Sequence, residues 1–198
     1  MEIPRGRIRE PLALALALGL LACDGPPPPP PPSPTSGSLV ELSAWERVAE
    51  VGEDVFGPER PEGLVCDEVL GIGTEMFGPE LVLEVSTDFC DYATLRQPSL
   101  LPLQAGDTVW LRAWHYELST PAPAQAHLAL AIDGALAWEQ WVQSPAVGAF
   151  VEAEITIEHD VPAGTELQFH VHNHGANSYD LLAIELLGDD DDTGSPSP

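Results

Sequence analysis

The stretch AHLALAIDGALAWEQWV (residues 126–142) decides the fold class that we expect for this chain. It contains two short apolar-rich runs that are separated by Asp133 and Gly134. An Asp-Gly pair between such runs is a strong signal for a tight β-hairpin, because both residues tolerate the positive φ that the turn requires. The stretch therefore predicts two antiparallel strands.

More runs of the same kind flank this hairpin on both sides. Turn formers introduce two of them, AGD at residues 105–107 and PAG at residues 162–164. Many short strands bounded by such residues predict an all-β fold, a jelly-roll-like antiparallel β-sandwich. The runs are ELVLEVST (80–87), DTVWLRAWHYEL (107–118), FVEAEITIEHDV (150–161), TELQFHVHNH (165–174) and SYDLLAIELL (178–187).

One short helix is expected ahead of these strands. In SAWERVAEVGEDVF (residues 43–56), apolar side chains recur at helical spacing, and Ser43 with Glu46 forms a capping-box pattern. The fold prediction therefore includes one short N-terminal helix.

The first 22 residues have the pattern of a secretory signal peptide. Arg5, Arg7 and Arg9 precede an apolar run over residues 12–22, which is too short for a transmembrane helix. The following motif LLAC, ending at Cys23, resembles the lipobox of bacterial lipoproteins. That resemblance implies cleavage before Cys23, acylation of this residue with palmitate among the acyl chains, and attachment to the inner or outer membrane of a bacterium, facing the periplasm or the exterior.

A proline-rich segment separates this cysteine from the rest of the chain. Seven consecutive prolines, residues 26–32, adopt an extended helix of about 3.1 Å per residue and make a spacer of roughly 20 Å. We therefore expect residues 1–22 to be the signal peptide and residues 23–38 the lipidated cysteine with its spacer. Residues 39–188 would form the β-sandwich domain, and residues 189–198 an acidic disordered tail.

The charge of the chain excludes one class of partner. The sequence contains 7 Lys and Arg residues, all of them Arg, against 32 Asp and Glu residues, a formal net charge of −25. Nucleic-acid binding requires basic side chains that displace counterions from phosphates, so we expect no nucleic-acid partner. The acidic run at residues 189–192 lacks the spaced ligands and the glycine turn of a calcium loop, which favours a solvated tail.

Cys66 and Cys90 are predicted to form a disulfide. Two remaining thiols in an exported protein usually pair, and the bond would close a loop of about 25 residues, contributing roughly 3 kcal/mol. A metal site is the alternative. It is disfavoured because neither cysteine has a second Cys or His within two to four residues.

The stretch LQFHVHNHG (residues 167–175) offers a candidate metal site. Strand alternation places Leu167, Phe169 and Val171 on the buried face and leaves the polar residues on the other. Two histidines at this spacing can converge on one zinc or copper ion. The pattern is similar to the paired histidines of cupins, without their following glutamate. The predicted ligands are His170, His172, His174 and His115.

The stretch VWLRAWHYEL (residues 109–118) offers a second candidate site. Alternation separates Val109, Leu111, Ala113 and His115 from the aromatic face. Exposed aromatic rings beside an arginine would form a platform for sugar rings or for an envelope protein partner. The alternative is that the rings fill the core, which would turn His115 outward towards the other histidines. The candidate ligand-binding residues are Trp110, Arg112, Trp114 and Tyr116.

The second half of the chain also resembles jelly-roll carbohydrate-binding modules and galactose-binding-like domains, in the number of strands, the entry AGDTVWLRAW and the closing strand NSYDLLAIEL.

No nucleophile elbow, phosphate-binding glycine loop or zinc-protease helix occurs in the sequence, so no enzyme is expected. The expected function is a lipid-anchored envelope protein with a non-catalytic binding or structural module. The alternatives are a zinc- or copper-binding protein and a glycan-binding module.

Overall fold

The computed structural model describes residues 36–121, 124–173 and 175–188. Several predicted features lie outside these residues: the signal peptide, Cys23, most of the spacer, His174 and the tail (189–198). Within them, no helix is long and apolar enough to cross a membrane.

The described part of the chain is almost entirely β-structure. Its helical elements are one single-turn helix, α1 (Glu68–Gly71), and two 3-10 turns, at Val51–Glu53 and Gly57–Glu59. The strands are β1 (Gly37–Ser38), β2 (Glu46–Arg47), β3 (Ile72–Phe77), β4 (Glu80–Ser86), β5 (Tyr92–Pro98), β6 (Thr108–His115), β7 (Ala124–Ile132), β8 (Ala135–Ser144), β9 (Ala149–Thr156), β10 (Glu166–His172) and β11 (Ser178–Leu187).

The strands form two antiparallel sheets, which confirms the predicted fold class. The front sheet has the order β3-β4-β11-β6-β9, with β1 also paired to β11. The back sheet has the order β2-β5-β10-β7-β8. From β5 onward the chain passes repeatedly from one sheet to the other, so neighbouring strands in a sheet are mostly distant in sequence.

The main core lies between the two sheets. In β6, alternate residues Val109, Leu111 and Ala113 are fully buried, as a half-buried strand requires. On the back sheet, Leu130 and Phe169 lie directly opposite each other on β7 and β10 and join the same core. Each such Leu or Phe side chain stabilises the fold by about 1.5–3 kcal/mol.

A second, smaller apolar cluster covers the outer side of the back sheet. Phe56 packs there against Tyr92, Ala129 and Ala131. Because this cluster shields the side of the sheet that would otherwise meet water, β7 and β10 are buried on both faces. This accounts for the nearly continuous apolar run of β7.

The predicted hairpin and the predicted disulfide are both confirmed. Asp133 and Gly134 join β7 to β8 with φ values of 54° and 72°, as a two-residue hairpin turn requires. Cys66 and Cys90 are bonded across a sequence separation of 24 and link the segment before α1 to the loop after β4.

The helix predicted over residues 43–56 does not form. Glu46 and Arg47 instead pair with β5 as the short strand β2, and the Val48 amide donates to the Thr94 carbonyl. The backbone of this segment finds its partners in the edge of the back sheet, and Trp45 packs near Phe169. Tertiary pairing therefore overrides the local helical pattern.

Besides the two-residue strands β1 and β2, the strands β3 and β5 were not predicted. The sequence of β3, IGTEMF, contains a glycine and has little apolar alternation, and that of β5, YATLRQP, contains an arginine and ends in proline. Both form because long strands beside them, β4 and β10, supply backbone partners along their whole length.

Candidate functional site

The aromatic face of β6 points away from the core. Trp110, Arg112 and Trp114 are half-buried on the outer side of the front sheet, while the intervening residues face the back sheet. Tyr116, just after the strand, is 42% exposed. Of the two arrangements left open by the sequence, the structure has the one in which the rings lie outside the core and His115 points into it.

Further rings extend this face. The Trp114 ring centroid lies 4.9 Å from that of Phe150 on β9, 5.8 Å from that of Phe77 on β3 and 6.1 Å from that of Tyr116. We call Phe77, Trp114, Tyr116 and Phe150 the aromatic patch. Phe150 is also 42% exposed, so the patch is open to solvent.

Sequence reasoning did not identify Phe77 or Phe150 as part of this face. Trp114 is directly opposite Phe150 in the ladder between β6 and β9, although Phe150 follows it by 36 residues in the sequence. Only the strand pairing brings them together. The outward position of Phe150 in its alternating strand was the one signal available.

Arg112 is held over the patch by a carboxylate and by rings. Its Nε lies 3.3 Å from Glu152 Oε1, and its guanidinium lies 4.1 Å from the Phe150 ring centroid and 6.0 Å from that of Trp110. These contacts explain how an arginine can be half-buried on a sheet face. Arg112 Nε and Trp114 Nε1 are both buried and have no hydrogen-bond partner within the described residues.

A cluster of carboxylates adjoins the aromatic patch on the same sheet. Glu75 on β3, Glu84 on β4 and Asp180 on β11 each bring one oxygen to within 4.8 Å of the others, and we call them the acidic cluster. Asp180 lies opposite Glu84 in one ladder and opposite Trp114 in the other. The cluster and the patch are therefore neighbours across adjacent strands.

Asp180 is the unusual member of this cluster. It is 0% exposed, and neither of its carboxylate oxygens has a hydrogen-bond partner within the described residues. Glu75 and the Tyr116 hydroxyl lie near it without the geometry of a hydrogen bond. Burial, followed by the charges of Glu75 and Glu84, raises the pKa of Asp180 to about 7.

The acidic cluster opens into a shallow pocket of ≈ 330 Å³. Glu75, Glu84 and Tyr116 line it together with Asp88 and Asn177. Burial and then the charge of Asp180 raise the pKa of Tyr116, so its hydroxyl stays protonated and can donate a hydrogen bond. The pocket therefore presents several acceptors and the Tyr116 donor at the border of an aromatic surface.

The predicted histidine ligands occupy different places. His170 is buried on the outer side of the back sheet, where its Nδ1 lies 2.9 Å from Thr94 Oγ1 and its ring stacks on Phe56 at 4.5 Å. His172 is half-buried on the same side, with its ring 6.2 Å from that of His170. His115 belongs to the front sheet and faces the core, so the structure does not bring it to this pair.

A third histidine, which sequence reasoning missed, joins the pair. His127 on β7 lies directly opposite His172 in the ladder, and its ring is 5.2 Å from that of His170. Burial, and then the charges of His127 and His172, hold the pKa of His170 well below its usual value. The His127 ring itself stacks on that of Trp141, with the ring centroids 3.9 Å apart, and its Nε2 forms a hydrogen bond with Glu139 Oε2.

Within the described residues, the acidic cluster is the group that brings three ligating atoms within 4.8 Å of one another. The histidines do not form such a group there, and His174 lies outside the described part of the chain. A zinc or copper site at His170 and His172 stays a prediction.

No family model and no curated protein matches this chain. Among solved structures, a carbohydrate-binding module specific for non-crystalline cellulose covers 79% of this chain and 97% of its own, at 12% identity and a TM-score of 0.47. The match to a module in complex with β-1,4-galactotriose covers 75% of this chain and 91% of that module, at 13% identity and a TM-score of 0.40. An arabinose-bound α-L-arabinofuranosidase covers 76% of this chain and 24% of its own, at 7% identity and 0.45. Likenesses this distant assign no function to the chain.

Proposed function

We propose that this protein is a non-catalytic glycan-binding module and that the aromatic patch is its binding surface. The observation that carries the proposal is the position of Trp114, Tyr116 and Phe150, whose rings lie together on the solvent side of one sheet. A contiguous exposed aromatic surface is uncommon on a protein without a partner and marks a site of interaction.

The chemistry around the patch suits a saccharide. Aromatic rings pack against the apolar C–H faces of sugar rings, while hydroxyl groups need hydrogen-bond partners. Glu152 beside the patch supplies acceptor oxygens, and the Tyr116 hydroxyl, which stays protonated, is a donor at its border. Because acidic side chains surround the patch, we expect a neutral saccharide rather than an anionic one.

The experiment that tests the patch uses the full chain and a panel of soluble neutral polysaccharides in affinity electrophoresis. Phe150→Ala and Tyr116→Ala should abolish the retardation seen with the unsubstituted protein. Phe89→Ala is the matched control, because Phe89 is equally exposed, at 42%, and lies in the loop after β4. Retention of binding in both patch variants, or binding of none of the polysaccharides, would refute the proposal.

We also propose that lipid on Cys23 holds the module at a bacterial envelope membrane. The support is the sequence alone: the arginine-rich start, the short apolar run, the LLAC motif and the proline spacer. Two or more acyl chains give stable anchoring, whereas one is marginal. Metabolic labelling with a clickable fatty acid should mark the protein but not its Cys23→Ser variant, and an unlabelled, freely soluble mature chain would contradict the anchor.

A further inference from the structure

We infer that Glu75, Glu84 and Asp180 form a binding site for a calcium ion on the front sheet. The three carboxylates come from adjacent strands, so the sheet holds them together without any loop. Calcium binds oxygen ligands at about 2.3–2.6 Å, which places ligand pairs at most about 5 Å apart. The separation of 4.8 Å or less between their oxygens fits this limit.

Asp180 supplies an independent argument for a ligand. A buried carboxylate is normally paired or hydrogen-bonded, because its desolvation is otherwise uncompensated. Both oxygens of Asp180 are buried and have no hydrogen-bond partner within the described residues, and two more carboxylates lie within 4.8 Å of it. A cation at this place would compensate all three charges at once.

The ligand atoms favour calcium over other metals. All three are carboxylate oxygens, whereas zinc and copper prefer sites with nitrogen or sulfur ligands. Ser178 Oγ donates to Glu84 Oε1 at 2.7 Å and fixes the orientation of that carboxylate. The adjoining pocket leaves room for the water ligands that complete six to eight positions around calcium. Magnesium demands a tighter octahedral arrangement and should bind more weakly.

The calcium site does not depend on the proposed glycan function, since none of its three ligands belongs to the aromatic patch. It is also separate from the acidic run at residues 189–192, which lies outside the described residues. Calcium binding is therefore measured without any saccharide, and variants within the cluster separate it from attraction to the tail.

The test is isothermal titration of the chelator-treated full chain with calcium chloride, together with thermal unfolding. We expect a dissociation constant of about 10⁻⁴ to 10⁻³ M, the range of extracellular modules. At a calcium concentration about ten times this constant, the Tm should rise by about 3–6 °C. Asp180→Asn and Glu84→Gln should each weaken binding at least about tenfold and remove the rise in Tm.

Glu154→Gln is the matched control. It removes one exposed carboxylate of β9 from the same face of the front sheet and leaves the acidic cluster intact. It should bind calcium as the unsubstituted chain does. If Asp180→Asn does not fold, Glu84→Gln, which is only half-buried, decides the question. The inference is overturned if the chain neither binds calcium nor gains stability at millimolar concentrations, or if both cluster variants bind it unchanged.

Discussion

Asp180 lies directly opposite Trp114 in the ladder between β11 and β6. Residues opposite each other in an antiparallel pair point to the same face with Cα atoms about 4.5–5.5 Å apart. A fully buried carboxylate and the central ring of the aromatic patch are therefore side-chain neighbours. A change of charge at Asp180 should therefore be detectable at the Trp114 ring.

Replacing Asp180 by Asn should stabilise the calcium-free protein. At pH 8, above the raised pKa of about 7, Asp180 is charged and lies beside two more carboxylates. An amide removes this charge and adds a donor towards Glu75 and Glu84. We expect a gain of about 1–3 kcal/mol in the free energy of unfolding, measured by urea denaturation with chelator present. Glu154→Gln should leave stability nearly unchanged, and a loss of stability in Asp180→Asn would contradict the expectation.

Calcium should change the fluorescence of the protein through Trp114. A cation bound at Asp180 alters the local field at the neighbouring indole, which shifts its emission. The unsubstituted chain should therefore show a saturable change in tryptophan emission with calcium, and Trp114→Phe should not. Trp138→Phe, on the back-sheet strand β8, is the control and should keep the change. An unaltered signal in Trp114→Phe would place the bound ion elsewhere.

The sequence was sufficient to predict the strands β4 and β6 to β11 and the turn that joins β7 to β8. β11 has the predicted bounds, and the Asp133-Gly134 hairpin was predicted because these residue types select the turn by themselves. β2, β3 and β5 were not predicted, because their backbone partners lie on strands that are distant in the sequence. Pattern analysis detects side-chain periodicity and does not detect pairing.

The candidate sites show the same limit. The outward face of β6 was one of two arrangements that alternation allowed, and the tertiary fold decided between them. His170 was expected on a polar face, but Phe56 and Tyr92 cover it, and this cover comes from residues far away in the sequence. Glu75 and Asp180 carry no motif, and only the order of the strands places them together.

The hairpin between β7 and β8 should depend on the backbone freedom of Gly134. Its φ is 72°, and an added Cβ would meet no atom within 4 Å, so strain in the backbone is the whole cost of a side chain. Gly134→Ala should lower the free energy of unfolding by about 1 kcal/mol. Gly73→Ala in β3 is the matched control, because a Cβ there also meets nothing within 4 Å and φ is not positive. It should be neutral or slightly stabilising in urea denaturation, and equal losses in both variants would rule out strain as the cause.

His170 should make the protein less stable as the pH falls. Burial, and then His127 and His172, keep the pKa of His170 well below the 6.5 of an unfolded chain. The unfolded state therefore binds a proton at His170 before the folded state does, and stability present above pH 6.5 is lost as the pH decreases below it. Tyr92 also contacts the ring, and its pKa is raised, so it stays uncharged in this range.

The measurement is the free energy of unfolding in urea between pH 7.5 and pH 5, for the unsubstituted chain and for His170→Gln. Glutamine does not titrate and can keep a hydrogen bond to Thr94 Oγ1. The variant should be less stable at pH 7.5, because it loses the stack on Phe56, yet this deficit should shrink towards pH 5. The raised pKa of Asp180 acts in the opposite direction over this range, but it is common to both chains and cancels in the difference. His159→Gln, an exposed change outside this cluster, should keep the pH dependence of the unsubstituted chain. Parallel pH profiles for His170→Gln and the unsubstituted chain would show that His170 is not the titrating group, since His127 and His172 are present in both.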